Sequence, residues 1–142
     1  MREIKFRGIS KRTGRFVYGC YIHTGVDAPA IVFGDGEQEE VKPETVGQFT
    51  GLHDKHTFEV YKGDLVRAYK PNTYLGPDDL LEVRWNEERG CWAYWNHRIN
   101  RWVTGRGYVP MTVGENRNGR WCEIIGNIYE NPELLSDKRH TS

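Results

Sequence analysis

Apolar and polar side chains alternate along much of this chain with the period of a strand. In REIKFRGI, Ile4 and Phe6 fall on one face and Glu3, Lys5 and Arg7 on the other, which predicts a strand with one wetted face. The polar turn SKRTGR, with Gly14, leads to the apolar run FVYGCYI, so the N-terminus reads as a hairpin. APAIVFGDGEQEEV predicts a second hairpin around Gly34, Asp35 and Gly36. Pro43 suits the first position of a helical turn, while Gly47 and Gly51 bracket QFT, a stretch too short for a helix. HDKHT forms a polar turn between Leu52 and Phe58. In YKGDLVRAY a tight turn at Gly63 and Asp64 feeds a strand: Gly63 accepts positive φ, and the Asp64 carboxylate can accept nearby backbone N–H groups.

KPNTYLGPDD reads as a loop, and LLEVRWNEERGCWAYW as a hairpin with arms LEVRW and CWAYW and a turn near NEERG. A less regular stretch rich in Arg, Asn and Gly follows. WCEIIGNIY gives the last strand. ENPELL gives a short helical turn with Asn131 as N-cap, Pro132 at its first position and Glu133 near the positive end of the dipole. The expected fold is a single mainly β domain over residues 1–135, its twisted hairpins closing into a small barrel or sandwich, with 136–142 as a tail. The only candidate for an internal boundary is Pro71–Asp79, read as a long loop within that domain.

Composition supports this picture. Val, Ile and the aromatic residues dominate the apolar set and Ala is scarce, which favours pleated surfaces over helices. Sixteen Gly and six Pro supply the turns, and 142 residues suffice for a core without disulfides or metal. Cys20, Cys91 and Cys122 are odd in number and form no CxxC pair, so they read as buried thiols in a reducing compartment. MREIKFRG lacks the apolar core of a signal peptide. No apolar stretch reaches the ~20 residues a membrane span needs. The expectation is a soluble, intracellular protein. Zero net charge hides three blocks: basic over Arg2–Arg15, acidic over Asp27–Glu44, basic over Arg98–Arg120. Such blocks suit solvated loops, attraction within or between subunits, or a face for nucleic acid.

MREIKFR, GQFTGLHDK with VYKGDLV, and EIIGNIYENPELL, in that order, resemble the YopX protein family of phages and prophages over nearly the full length. The resemblance implies a mostly β protein carried by phage or prophage, with no established activity, cofactor or catalytic residues. Where the family commonly continues KFR with a Trp-Asp-like start, this chain has Gly8, Ile9 and Ser10. Where the family's middle turn commonly holds Asn-Gly, this chain has His56 and Thr57. Gly51, Gly63, Asp64, Gly126, Asn127, Asn131 and Pro132 are read as structural positions of the matching segments. YKGDLV is also similar to the strand start of small SH3-like barrels, which bears on fold and not on function.

Each candidate site competes with a structural role. His53, Asp54, His56 and Glu59 carry groups that bind zinc, but a structural site wants four ligands, and an exposed turn is the favoured reading. Asp64 as a catalytic carboxylate lacks a partner by spacing, which favours a turn cap. The chain has no G-x-S-x-G motif and no phosphate-binding Gly loop. No metal, cofactor or catalytic residue is assigned. The strongest feature is a Trp- and Arg-rich region: Trp85, Trp92, Tyr94, Trp95, Arg98, Arg101, Trp102, Arg106 and Tyr108. Rings and guanidinium groups anchor protein interfaces, stack bases and hold phosphates, or fill a core. Trp92, Trp95, Arg98, Arg101, Trp102, Arg106 and Tyr108 are the candidate surface. The expected role is that of a non-enzymatic phage or prophage protein acting through protein contacts, as a homo-oligomer or with a host or phage partner. The alternative is a nucleic-acid-binding module.

Overall fold

A computed structural model of the chain describes residues 3–23, 29–68, 79–103 and 122–136. It has the mainly β architecture the pattern predicts. The strands are β1 (Phe6–Ile9), β2 (Phe16–Ile22), β3 (Ala30–Phe33), β4 (Glu37–Glu40), β5 (Gly47–His53), β6 (Glu59–Tyr61), β7 (Asp64–Ala68), β8 (Leu81–Asn86), β9 (Cys91–Asn96), β10 (Arg101–Trp102) and β11 (Cys122–Asn127). Three-residue 3-10 turns stand at Pro43–Thr45 and Pro132–Leu134. The chain divides into two compact units, Met1–Gly51 and Leu52–Ser142. Of the segment Pro71–Asp79 only Asp79 is described, and of the expected tail only Ser136.

In the first unit the order is β4-β3-β2-β1-β5, all antiparallel. The sheet turns back on itself. Ser10 bridges Val41, Lys11 N–H donates to the Glu40 carbonyl at 3.0 Å, and Lys42 N–H to that of Ile9 at 2.9 Å. Fully buried Ile31 and Val41 fill the interior. Gly8 packs closely there: a Cβ would stand 3.0 Å from that of Val41.

Three expectations fail in this unit. Ile4 is 68 % exposed, because it precedes the first ladder, while Arg7, expected on the wet face, is only 5 % exposed. Its guanidinium carbon packs 4.3 Å from the Phe16 ring centroid, so the charge is covered by an aromatic face. Cys20, expected to be buried, points outward from β2.

In the second unit the order is β10-β9-β8-β7-β11, and β6 follows β5 through the HDKHT turn. One core joins Leu52, Val60, Val66, Leu81, Val83, Trp92, Tyr94, Val103 and Cys122, with Ile124 packed against it. Each fully buried Val or Leu contributes about 1.5–3 kcal/mol. The turn between β6 and β7 depends on Gly63 at φ +92°, where a Cβ would also meet the Tyr129 ring at 2.9 Å. Buried Asp64 fixes the same turn, its Oδ2 accepting the Tyr61 N–H at 2.7 Å.

β11 shifts register between Ile124 and Gly126 and then locks. Asn127 Oδ1 accepts the N–H groups of Tyr129 and Glu130 at 3.0 and 2.8 Å. Asn131 does not cap the final turn with its side chain, as the sequence suggested. Its Oδ1 instead reaches back to the Asn127 N–H at 3.1 Å. A Cβ on Gly126 would lie 2.6 Å from that oxygen.

Candidate functional site

The Trp- and Arg-rich region is built on the β8–β9 hairpin, and the register decides what each side chain does. Leu81 pairs with Asn96, Val83 with Tyr94 and Trp85 with Trp92, so this set shares one face. That face is the core. Trp92 is 4 % exposed, which removes it from the candidate surface and settles it as packing. Trp85 is 44 % exposed and closes the end of the hairpin, its ring 5.2 Å from that of Trp92 in an edge arrangement.

The opposite face carries Glu82, Arg84, Ala93 and Trp95, since Glu82 pairs with Trp95 and Arg84 with Ala93. β10 adds Trp102, directly across from Trp95. The two half-buried rings stand perpendicular, 5.4 Å between centroids. Such pairs contribute about 0.5–1.5 kcal/mol beyond their buried area. The Arg84 guanidinium lies 4.8 Å from the Trp95 centroid. One oxygen of Glu82 accepts from Arg84 Nη2 at 2.9 Å and bonds His97 Nε2 at 2.8 Å. Burial pushes the Glu82 carboxyl up, but the hydrogen bonds from His97 and Arg84 outweigh it and hold the group below its ordinary range.

Arg98 does not reach this face freely. Its Nε and Nη2 both donate to the buried carboxylate of Asp79, which also accepts Asn96 Nδ2 at 3.1 Å. That partner raises the Arg98 pKa and keeps the charge fixed. Arg101 is exposed but pairs with Asn96, so it sits on the face opposite Trp102. Arg106 and Tyr108 lie outside the described residues. The structure therefore gathers Trp95 and Trp102 with Glu82, Arg84 and His97, three residues the sequence reading did not nominate. The signal was present: two six-residue arms joined by a four-residue turn fix the register that places Glu82 opposite Trp95.

The other candidates resolve into structure. Asp54 is buried, and its Oδ1 accepts the N–H groups of His56 and Phe58, both at 2.9 Å. Glu59 accepts the Tyr61 hydroxyl at 2.9 Å and His56 meets Glu123 at 2.8 Å. Among the described residues no three His, Cys, Asp or Glu side chains gather as a metal would require. Burial pushes the Cys122 thiol up to about 12, which leaves it protonated and unreactive. No helix among the described residues is long and apolar enough to cross a membrane.

Comparison with known proteins gives a family and a fold. The family model described as YopX protein matches residues 5–136. No curated protein matches the chain. Among solved structures, the crystal structure of protein EF1440 from Enterococcus faecalis is similar over 95 % of this chain and 99 % of that one, at 19 % identity and a TM-score of 0.57. At that identity the likeness shows the fold alone.

Proposed function

The chain belongs to the YopX family, and on that premise we propose that it is a non-enzymatic accessory protein of phage or prophage origin, working through protein contacts at the Trp95–Trp102 face. The observation that carries this reading is the state of the arginines. Arg84 and Arg98 are each paired to a largely buried carboxylate, Glu82 and Asp79. A surface built to hold phosphates needs cations free to replace counterions. A surface built for protein contact needs half-buried rings and arginines held in place, the residue types that dominate interface energetics. Perpendicular Trp rings with a tethered Arg84 have the second character. The partner class includes a second copy of the chain, which makes a homo-oligomer part of the reading, and the setting is the host cytoplasm.

The test is capture of partners by tagged protein from host lysate, with and without nuclease, beside its Trp102→Ala variant. Partners that survive nuclease and are lost with Trp102→Ala support the reading. Nucleic acid in the eluate, with binding that falls roughly 10³–10⁵-fold between about 50 and 200 mM salt, would replace it by the nucleic-acid module.

A further inference from the structure

β11 pairs with β7 on one side. On its other side Cys122 and Ile124 point their backbone groups at the HDKHT turn. Lys55 N–H donates to the Cys122 carbonyl at 2.9 Å, and Ile124 N–H donates to Asp54 Oδ2 at 3.1 Å. This pair of bonds has the pattern of a parallel strand pairing, in which one residue gives its N–H to residue i−1 and takes the N–H of residue i+1. Lys55 supplies the N–H. The Asp54 carboxylate stands where the carbonyl of a partner strand would be. Its other oxygen is held by the N–H groups of His56 and Phe58, so the carboxylate is fixed and fully buried. His56 adds a contact to Glu123, the residue between the two bonded positions, at 2.8 Å.

A sheet edge with open N–H and carbonyl groups is a template for another strand. We infer that Asp54 is an edge guard: its carboxylate occupies the pairing position beside β11 and keeps the same edge of a second copy from adding there. The second copy is the occupant excluded because it carries an identical acceptor and donor two residues apart, at the same concentration, and two such edges match about a two-fold axis. The inference is independent of the Trp95–Trp102 face.

Asp54→Asn separates the guard from the turn. Its remaining oxygen serves the two N–H groups of the turn, while its amide presents a donor to the Ile124 N–H. Sedimentation velocity across a concentration series should show Asp54→Asn growing in mass beyond the wild type, with Ile124 exchanging its amide hydrogen about tenfold faster or more in the dilute protein. Adding Ile124→Pro removes the outward N–H and should return the mass to that of the wild type. A folded Asp54→Asn protein with wild-type mass at every concentration overturns the inference, and so does growth that survives Ile124→Pro. Were Asp54→Asn to unfold, the wild type can still overturn the guard, by an Ile124 amide that exchanges at the rate of an open edge.

Discussion

Thr57 shows how a single residue records the geometry of its turn. It sits at φ +71°, the left-handed region that costs a side-chain-bearing residue about 1–2 kcal/mol. This is the turn where the resembling family commonly carries Asn-Gly, so the departure in sequence left the backbone in the conformation glycine prefers. Thr57→Gly gives back part of its gain through a freer unfolded chain, and a net rise in stability of about 0.5–1 kcal/mol is expected in denaturant titration. Trp92 poses a different residue-scale problem. Its indole N–H is buried with no hydrogen-bond partner among the described residues. An orphaned donor costs about 1–3 kcal/mol, which offsets much of the volume that Trp92→Phe would lose. That variant should therefore keep stability within about 1 kcal/mol, whereas Trp92→Ala should cost about 3–5 kcal/mol. A large loss in Trp92→Phe would mean that the N–H is satisfied.

At the scale of elements, the corner from Asn96 to Asn100 is pinned to Glu82 of β8 and to Asp79 just before it, and this corner joins the strands that carry Trp95 and Trp102. The folded Glu82 carboxyl titrates below its ordinary value of 4.5 because His97 and Arg84 outweigh burial. Its contribution is therefore present above the unfolded pKa and is lost as pH falls through the folded one. Stability measured between about pH 7 and about pH 3 should fall less steeply in Glu82→Gln than in the wild type, and parallel curves would show that the pair does not contribute. Gly63→Ala tests the neighbouring turn, with a cost of about 1–2 kcal/mol from backbone conformation alone, before the Tyr129 ring is displaced. The hairpins were legible in sequence because Gly34–Gly36 and NEERG place polar turn chemistry between alternating arms. The turn at Gly63 and Asp64 was legible for the same reason. Glu82, Arg84 and His97 were not nominated, although the arm and turn lengths of the β8–β9 hairpin fix the register that gives them their neighbours. Arg7 was misread because the Phe16 ring covers its guanidinium on the face that an isolated strand would leave wet, and Asn131 because its oxygen bonds the Asn127 N–H instead of capping the turn.

For the whole molecule, the balance of charge bears directly on partners. Zero net charge, with Arg84 and Arg98 compensated by carboxylates beneath them, leaves little long-range attraction to steer a partner, so a contact at the Trp95–Trp102 face as proposed would rest on its rings. Complexes captured through Trp102 should thus depend weakly on salt, and a steep dependence in the capture experiment would contradict the protein-contact reading. The placement of β11 has a separate consequence for biosynthesis. β7 is complete at Ala68, yet the strand that covers its second side begins at Cys122. A nascent chain emerging from the ribosome can pair β7 with β8 long before β11 exists. During that interval Val66 lacks the wall that Cys122 and Ile124 provide, and the Asp54 carboxylate has no Ile124 amide to receive. Folding of the second unit is thereby tied to the arrival of β11, and a chain released before it carries an unfinished sheet edge of the kind that quality-control proteases and chaperones engage.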